Sequence, residues 1–162
     1  MDWRPFVVCP PGQKPPAPRG PATREGLGDR LRTAAFAERQ ARDAFFRAAE
    51  RFPRESAERR AIWKTLGEEE DKHMRWLLER MTQLGFTPDE RAVSDGLWRS
   101  LERCRTAAEF AEFMARAEER GRAAERAFQK MLETRDPQTA EIFARIADEE
   151  DRHIALAGAL RA

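Results

Sequence analysis

Two Glu-x-x-His motifs hold both histidines of the chain: Glu70 with His73, and Glu150 with His153. Each motif lies 32 residues after another glutamate, Glu38 in the first case and Glu118 in the second. A Glu and a His three positions apart share one face of a helix and can reach a common point. Four carboxylates drawn into a low-dielectric interior repel one another and rise in pKa unless cations neutralise them. Oxygen ligands with one imidazole per metal suit iron or manganese, and a set without thiolates argues against structural zinc. The expectation is a site for two divalent ions with Glu38, Glu70, His73, Glu118, Glu150 and His153 as ligands.

The spacing belongs to an internal repeat. Sliding the chain by 80 residues aligns "GEEEDKH" (67–73) with "ADEEDRH" (147–153), and pairs Ala35 with Ala115, Glu38 with Glu118 and Ile62 with Ile142. A single Glu-x-x-His on an Arg- and Glu-rich helix is usually a solvated face with ion pairs. Two copies that hold both histidines and follow an inward-facing glutamate at equal distance argue for metal instead. Other acids stay open as ligands: Glu69 and Glu149 four residues before their histidines, and Glu119 and Glu125 near Glu118. For Glu119 and Glu125 the plain alternative is a surface ion pair with a neighbouring Arg. Glu68, Asp71, Asp148 and Asp151 read as solvated, or as partners that orient the histidines.

Helices must position these side chains. From about Glu25 the apolar residues recur every three or four positions, the helical period. Helix one is expected over about 25–51, with Leu31, Ala34, Ala35, Ala41, Phe45, Ala48 and Phe52 on one stripe, and Pro53 stops it. Helix two is expected over about 56–84, through Ile62, Leu66, Leu77 and Met81. Gly85, Pro88 and Asp89 end it, and a short helix follows around "SDGLWRSLERC", capped by Ser94 or Asp95. Helix three is expected over about 106–134. Helix four follows over about 137–160, after a tight break with Thr134 or Asp136 as cap and Pro137 in the first turn. The short, long, short order of links predicts an all-α, ferritin-like antiparallel four-helix bundle with a long crossover between helices two and three. The motif faces also carry Leu66, Leu77, Ile146 and Ala157, so the metals would lie on the bundle axis. Gly121, one turn beyond Glu118, costs helix stability and reads as room left beside them.

Residues 1–24 hold most of the prolines, which resist helix formation, and are too poor in apolar residues to fold alone. They form an extended or disordered leader, whether strap, tether or arm, ahead of a bundle domain over 25–162 made of two pseudo-repeats. Charge is nearly balanced, with 30 Lys and Arg against 29 Asp and Glu, so no strong field recruits nucleic acid or anionic lipid. No apolar run approaches a membrane span and none resembles a secretory signal, which makes the cytoplasm the expected location. Cys9 and Cys104 stand far apart, so no CxxC metal site is available, and a reducing compartment disfavours a disulfide.

The segments "AFAERQAR", "EEEDKH", "ARAEERG" and "DEEDRH" resemble the metal-binding helices of the ferritin-like di-iron carboxylate superfamily, rubrerythrins and bacterioferritins in particular. The likeness spans about residues 25–161. The proline-rich leader, "DGLWRSLER" and "EERG" are similar to a bacterial family of ferritin-like proteins, a likeness that supplies no biochemical role. The resemblance implies Glu70 and Glu150 as bridging carboxylates, Glu38 and Glu118 as terminal or bridging ligands, and one imidazole on each metal. It implies two iron ions, with manganese or a mixed pair as options, that reduce dioxygen or peroxide with an external electron donor.

Departures from the pattern narrow this. The missing CxxC pair implies no rubredoxin-like domain, and Gly121 stands where rubrerythrins carry an extra Glu. No Met follows Glu70, so haem is not expected. The chain ends nine residues after His153, which leaves no fifth helix of the kind that closes cages. The absence of Tyr removes a tyrosyl-radical role. Trp63 or Trp76 could carry electrons, although packing is the plainer reading of both. The first functional expectation is thus a di-iron oxidase or oxygenase. The second is a ferroxidase or iron store, and the third a metal-stapled helical module whose proline arm binds a partner. A homodimer is compatible with any of them.

Overall fold

The computed structural model of the chain describes residues 1–159, with side chains through residue 156; Leu160 and the Ala157 side chain lie outside the described residues. The chain is all-α, with five helices and no strand among the described residues: α1 (Arg24–Arg51), α2 (Ala57–Gln83), α3 (Gly96–Glu102), α4 (Ala107–Leu132) and α5 (Pro137–Ala159). These bounds fall within about two residues of those read from the sequence. No helix is long and apolar enough to cross a membrane.

The four long helices begin in the same way. The side-chain oxygen of Thr23, Ser56, Thr106 or Asp136 accepts a hydrogen bond from the N–H three residues on, at 2.9–3.1 Å. Each cap satisfies one backbone donor that the first turn leaves without an intrahelical partner, a contribution of about 1 kcal/mol. Of the two caps expected for α5, Thr134 and Asp136, Asp136 takes the role, and Pro137 opens that helix where a missing N–H costs nothing. Gly85 ends α2 at φ +74°. Phe86 N–H donates to Met81 O at 2.8 Å and Gly85 N–H to Thr82 O at 3.0 Å, the pair of bonds that closes a Schellman C-cap.

The residues divide into two compact units, one of 1–44 with 67–100 and one of 45–66 with 101–162. In the first, the start of α1 meets the end of α2, where Arg24 Nη2 donates to Leu84 O at 2.6 Å. In the second, the end of α1 meets the start of α2 through Phe52 and Trp63, whose rings lie 6.0 Å apart. The two helices are therefore antiparallel. Trp63 also meets Phe110 edge to face at 5.6 Å, and Phe45 meets the same ring at 6.0 Å. A side chain of this size contributes about 1.5–3 kcal/mol when fully buried. Trp63 is the inward residue of its turn, whereas Ile62, expected on the inner stripe, is only half-buried. Helices α4 and α5 pack together and are antiparallel too, since Arg122 pairs with Asp151 and Arg126 with Asp148.

Of the roles open to the leader, its contacts are those of a strap, and all of them lie within the first unit. Val7 and Val93 form a parallel bridge, with Cys9 N–H on Val93 O and Val93 N–H on Val7 O, both at 2.9 Å. Phe6 and Trp3 pack on Phe36 with ring centroids 5.0 and 5.2 Å away. A Cβ added to Gly26 would sit 1.9 Å from Gly20 O, so only glycine lets the leader's backbone lie against the first turn of α1.

Ion pairs fasten the strap. Asp29, nearly fully buried, accepts from Arg19 at both oxygens (2.7 and 3.0 Å) and from buried Arg32 at 3.2 Å. Arg32 in turn donates to Thr87 O and to Glu90 at 2.8 Å. Burial by itself pushes the Asp29 carboxyl up. The side-chain and backbone bonds from Arg19, with the charges of Arg91 and Arg19, outweigh it and hold the group at about 2 against an ordinary 3.8. A pKa lowered by folding adds stability that is complete above about pH 4 and is lost as the pH falls toward 2. Urea melts between pH 5 and 2 should show Asp29→Asn closing its stability gap to the parent as the acid protonates. The pH-dependent part should amount to about 2 kcal/mol.

Candidate metal centre

Helix α1 supplies Glu38, α2 supplies Glu70 and His73, α4 supplies Glu118, and α5 supplies Glu150 and His153. All six are buried. Two groups of four form among them: Glu38, Glu70, His73 and Glu150, and Glu70, Glu118, Glu150 and His153. Within each group one potential ligand atom per residue lies within 4.8 Å of the others. Glu70 and Glu150 belong to both groups, so each group holds three carboxylates and one imidazole.

His73 Nδ1 stands 3.9 Å from Glu38 Oε2 and 3.8 Å from Glu70 Oε2, and His153 Nδ1 stands 3.3 Å from Glu150 Oε2. The first two separations exceed a hydrogen bond. They fall within the range that donors around a common centre span, since bonds of about 2.0–2.2 Å place adjacent ligand atoms about 3 Å apart and opposite ones a little over 4 Å. Ionised, the four carboxylates carry four negative charges, which two divalent cations balance. The donor set and its spacing fit two hard or borderline metals.

The neighbouring acids separate clearly. Glu68, Asp148 and Glu119 are exposed, and Glu69 and Glu149 are half-buried. Glu125 is buried, yet it belongs to neither group of four. Asp151 is exposed, as the solvated reading has it, and Asp71 is half-buried; both pair with arginines. Asp71 accepts from Arg42 Nη1 at 2.9 Å, and Asp151 pairs with Arg122. Arg122 is Arg42 displaced by 80 residues, so the repeat extends to a second pair of identical contacts. Each joins the helix bearing a lone glutamate to the helix bearing its Glu-x-x-His, one residue beyond the glutamate of the motif. These arginines escaped the sequence reading because nothing marks a buttress in an Arg-rich helix except that offset.

Trp76, half-buried, lies against His73 with ring centroids 5.6 Å apart, and Lys72 Nζ stands over its ring 5.2 Å from the centroid. Trp76 packs the imidazole as the plainer reading expected. Gly121 is half-buried, and a Cβ added there meets nothing within 4 Å. Replacing Gly121 with Ala should therefore stabilise the protein by up to about 1 kcal/mol, read as a higher Tm, because helix propensity improves without a clash. Asp71→Asn should cost about 1 kcal/mol in urea melts and Asp151→Asn only a few tenths, since the second pair is the more exposed.

Comparison with curated proteins finds no match to the chain. A protein family described as DUF455, protein of unknown function, matches residues 5–159, a span that takes in the strap and all six buried ligand candidates. The chain belongs to that family.

Proposed function

We propose that the protein is a non-haem di-iron carboxylate oxidoreductase of ferritin-like architecture, which uses dioxygen or peroxide as oxidant. The observation that carries this reading is the pair of buried groups sharing Glu70 and Glu150, each with three carboxylates and one imidazole. In this reading α1, α2, α4 and α5 are the four bundle helices, and the segment from Gly85 to Arg105 that holds α3 is the crossover.

Bound iron would supply the electrons for reducing the oxidant, and manganese in one position fits the same donors. The chain's own residues hold and tune it. Glu70 and Glu150 would bridge, while Glu38 with His73 and Glu118 with His153 would each complete one position. Arg42 and Arg122 keep the helices in register through Asp71 and Asp151. The apolar side chains around the motifs, Leu66, Leu77 and Ile146, keep bulk water from the carboxylates and so strengthen every charge interaction among them.

The reading is tested by titrating metal-free protein with ferrous iron without oxygen, then admitting oxygen. Elemental analysis should find two irons per chain, and a near-ultraviolet band should follow oxidation. Glu70→Gln should lose both irons, because Glu70 serves both groups, whereas Glu38→Gln should weaken one position about 10- to 100-fold and spare the other. Stoichiometric iron that never reacts with oxygen or peroxide would leave a metal staple, and many irons per chain would mark a store. Absence of stoichiometric binding defeats the proposal. A chelator should also lower the Tm of the loaded protein, since a metal at 100 times its dissociation constant adds about 2.7 kcal/mol.

A further inference from the structure

A second concave site lies within the first unit, independent of the metal reading. The strap at Pro15–Pro18, the back of α1 and the segment 91–94 line a partly open cavity of about 240 Å³. Its α1 residues include Asp29, Arg32, Phe36 and Gln40. At 100° per residue these lie roughly opposite Glu38 on the helix, so α1 turns one face to the carboxylate cluster and the other to this cavity.

The lining is of mixed chemistry. It includes proline rings, which have no N–H to donate, together with Phe36, Ala37 and Val93. It also includes the charged residues Asp29, Arg32 and Arg91. Asp29 Oδ1 has Arg19, Arg32 and Arg91 nitrogens at 2.7, 3.2 and 3.6 Å, so the carboxylate is already saturated with positive charge. The Arg32 guanidinium is spent on Asp29, Thr87 O and Glu90. Arg91 is not: its Nη2 donates to Ala17 O at 3.0 Å, while the rest of its fork, about a quarter exposed, faces the cavity with donors to spare. A planar guanidinium fork matches a carboxylate, and the stiff proline rings of the lining offer preformed apolar surface. The lining carries two guanidinium groups, Arg32 and Arg91, against one carboxylate, Asp29, which disfavours a cation.

We propose that this cavity binds a small monocarboxylic acid with an aromatic or branched aliphatic body. The carboxylate sits on Arg91, and the body lies against Phe36 and the proline rings. The strap is then one side of a binding site, and Arg91 both ties it down through Ala17 and anchors the ligand.

Calorimetric titration of the full chain with benzoate and with 4-methylpentanoate tests this, with acetate and benzyl alcohol as the charge-only and body-only controls. At least one of the two acids should bind saturably at one per chain, and at least about tenfold more tightly than either control. Arg91→Gln should weaken it about tenfold or more. Ala37→Leu, which fills the cavity and leaves the ion pairs untouched, should abolish it while circular dichroism and Tm stay at parent values. Absence of saturable binding of both acids to the folded parent overturns the proposal. So does binding that survives both substitutions, or benzyl alcohol binding as tightly as benzoate.

Discussion

A buried carboxylate is among the costliest groups a protein can carry, and here four of them share one buried set with two imidazoles. Counter-cations among these groups would offset that cost, which is what supports a metal reading of the cluster. The rest of the molecule holds six side chains at a spacing that random packing would not choose.

The holding is done by repetition. Each half of the repeat supplies one glutamate from one helix and a Glu-x-x-His from the next, with an Arg–Asp contact beside the motif to keep the two helices in register. The halves are not equivalent in their settings. Arg42 and Asp71 are the more enclosed pair, whereas Arg122 and Asp151 stand in water. Trp76 packs on His73, and the 80-residue offset places Leu156 at the corresponding position near His153. Two groups of alike donor chemistry therefore sit in unlike frames.

Helix α1 is covered on two sides, which explains why it buries charged and polar residues such as Asp29, Arg32 and Gln40 besides its apolar stripe. A helix with one wet face would leave those residues in solvent. Under the strap they become a network in which each donor meets an acceptor: Gln40 accepts from Trp98 N–H at 3.0 Å, and Arg32 caps Thr87 O. That network gives the prolines something to lie on and opens the cavity between them.

Local chemistry made much of this legible before any coordinates. Period, caps and breakers placed the helices to within a residue or two, because those signals act over one turn. The six residues that come together in the buried groups were legible because a repeat writes the same residue types twice. Strap and cavity were not: proline content says that a segment is not helical, and says nothing of what it lies against. Nor did the sequence separate Glu69 from Glu70, or assign Asp71 and Asp151 to arginines. Neighbouring residues on a helix point about 100° apart, and which direction is buried depends on packing by distant parts of the chain. The sequence alone determined the elements and the repeated Glu and His positions; only the tertiary structure decided which acids are buried together, because burial is a property of contacts between residues far apart in the chain.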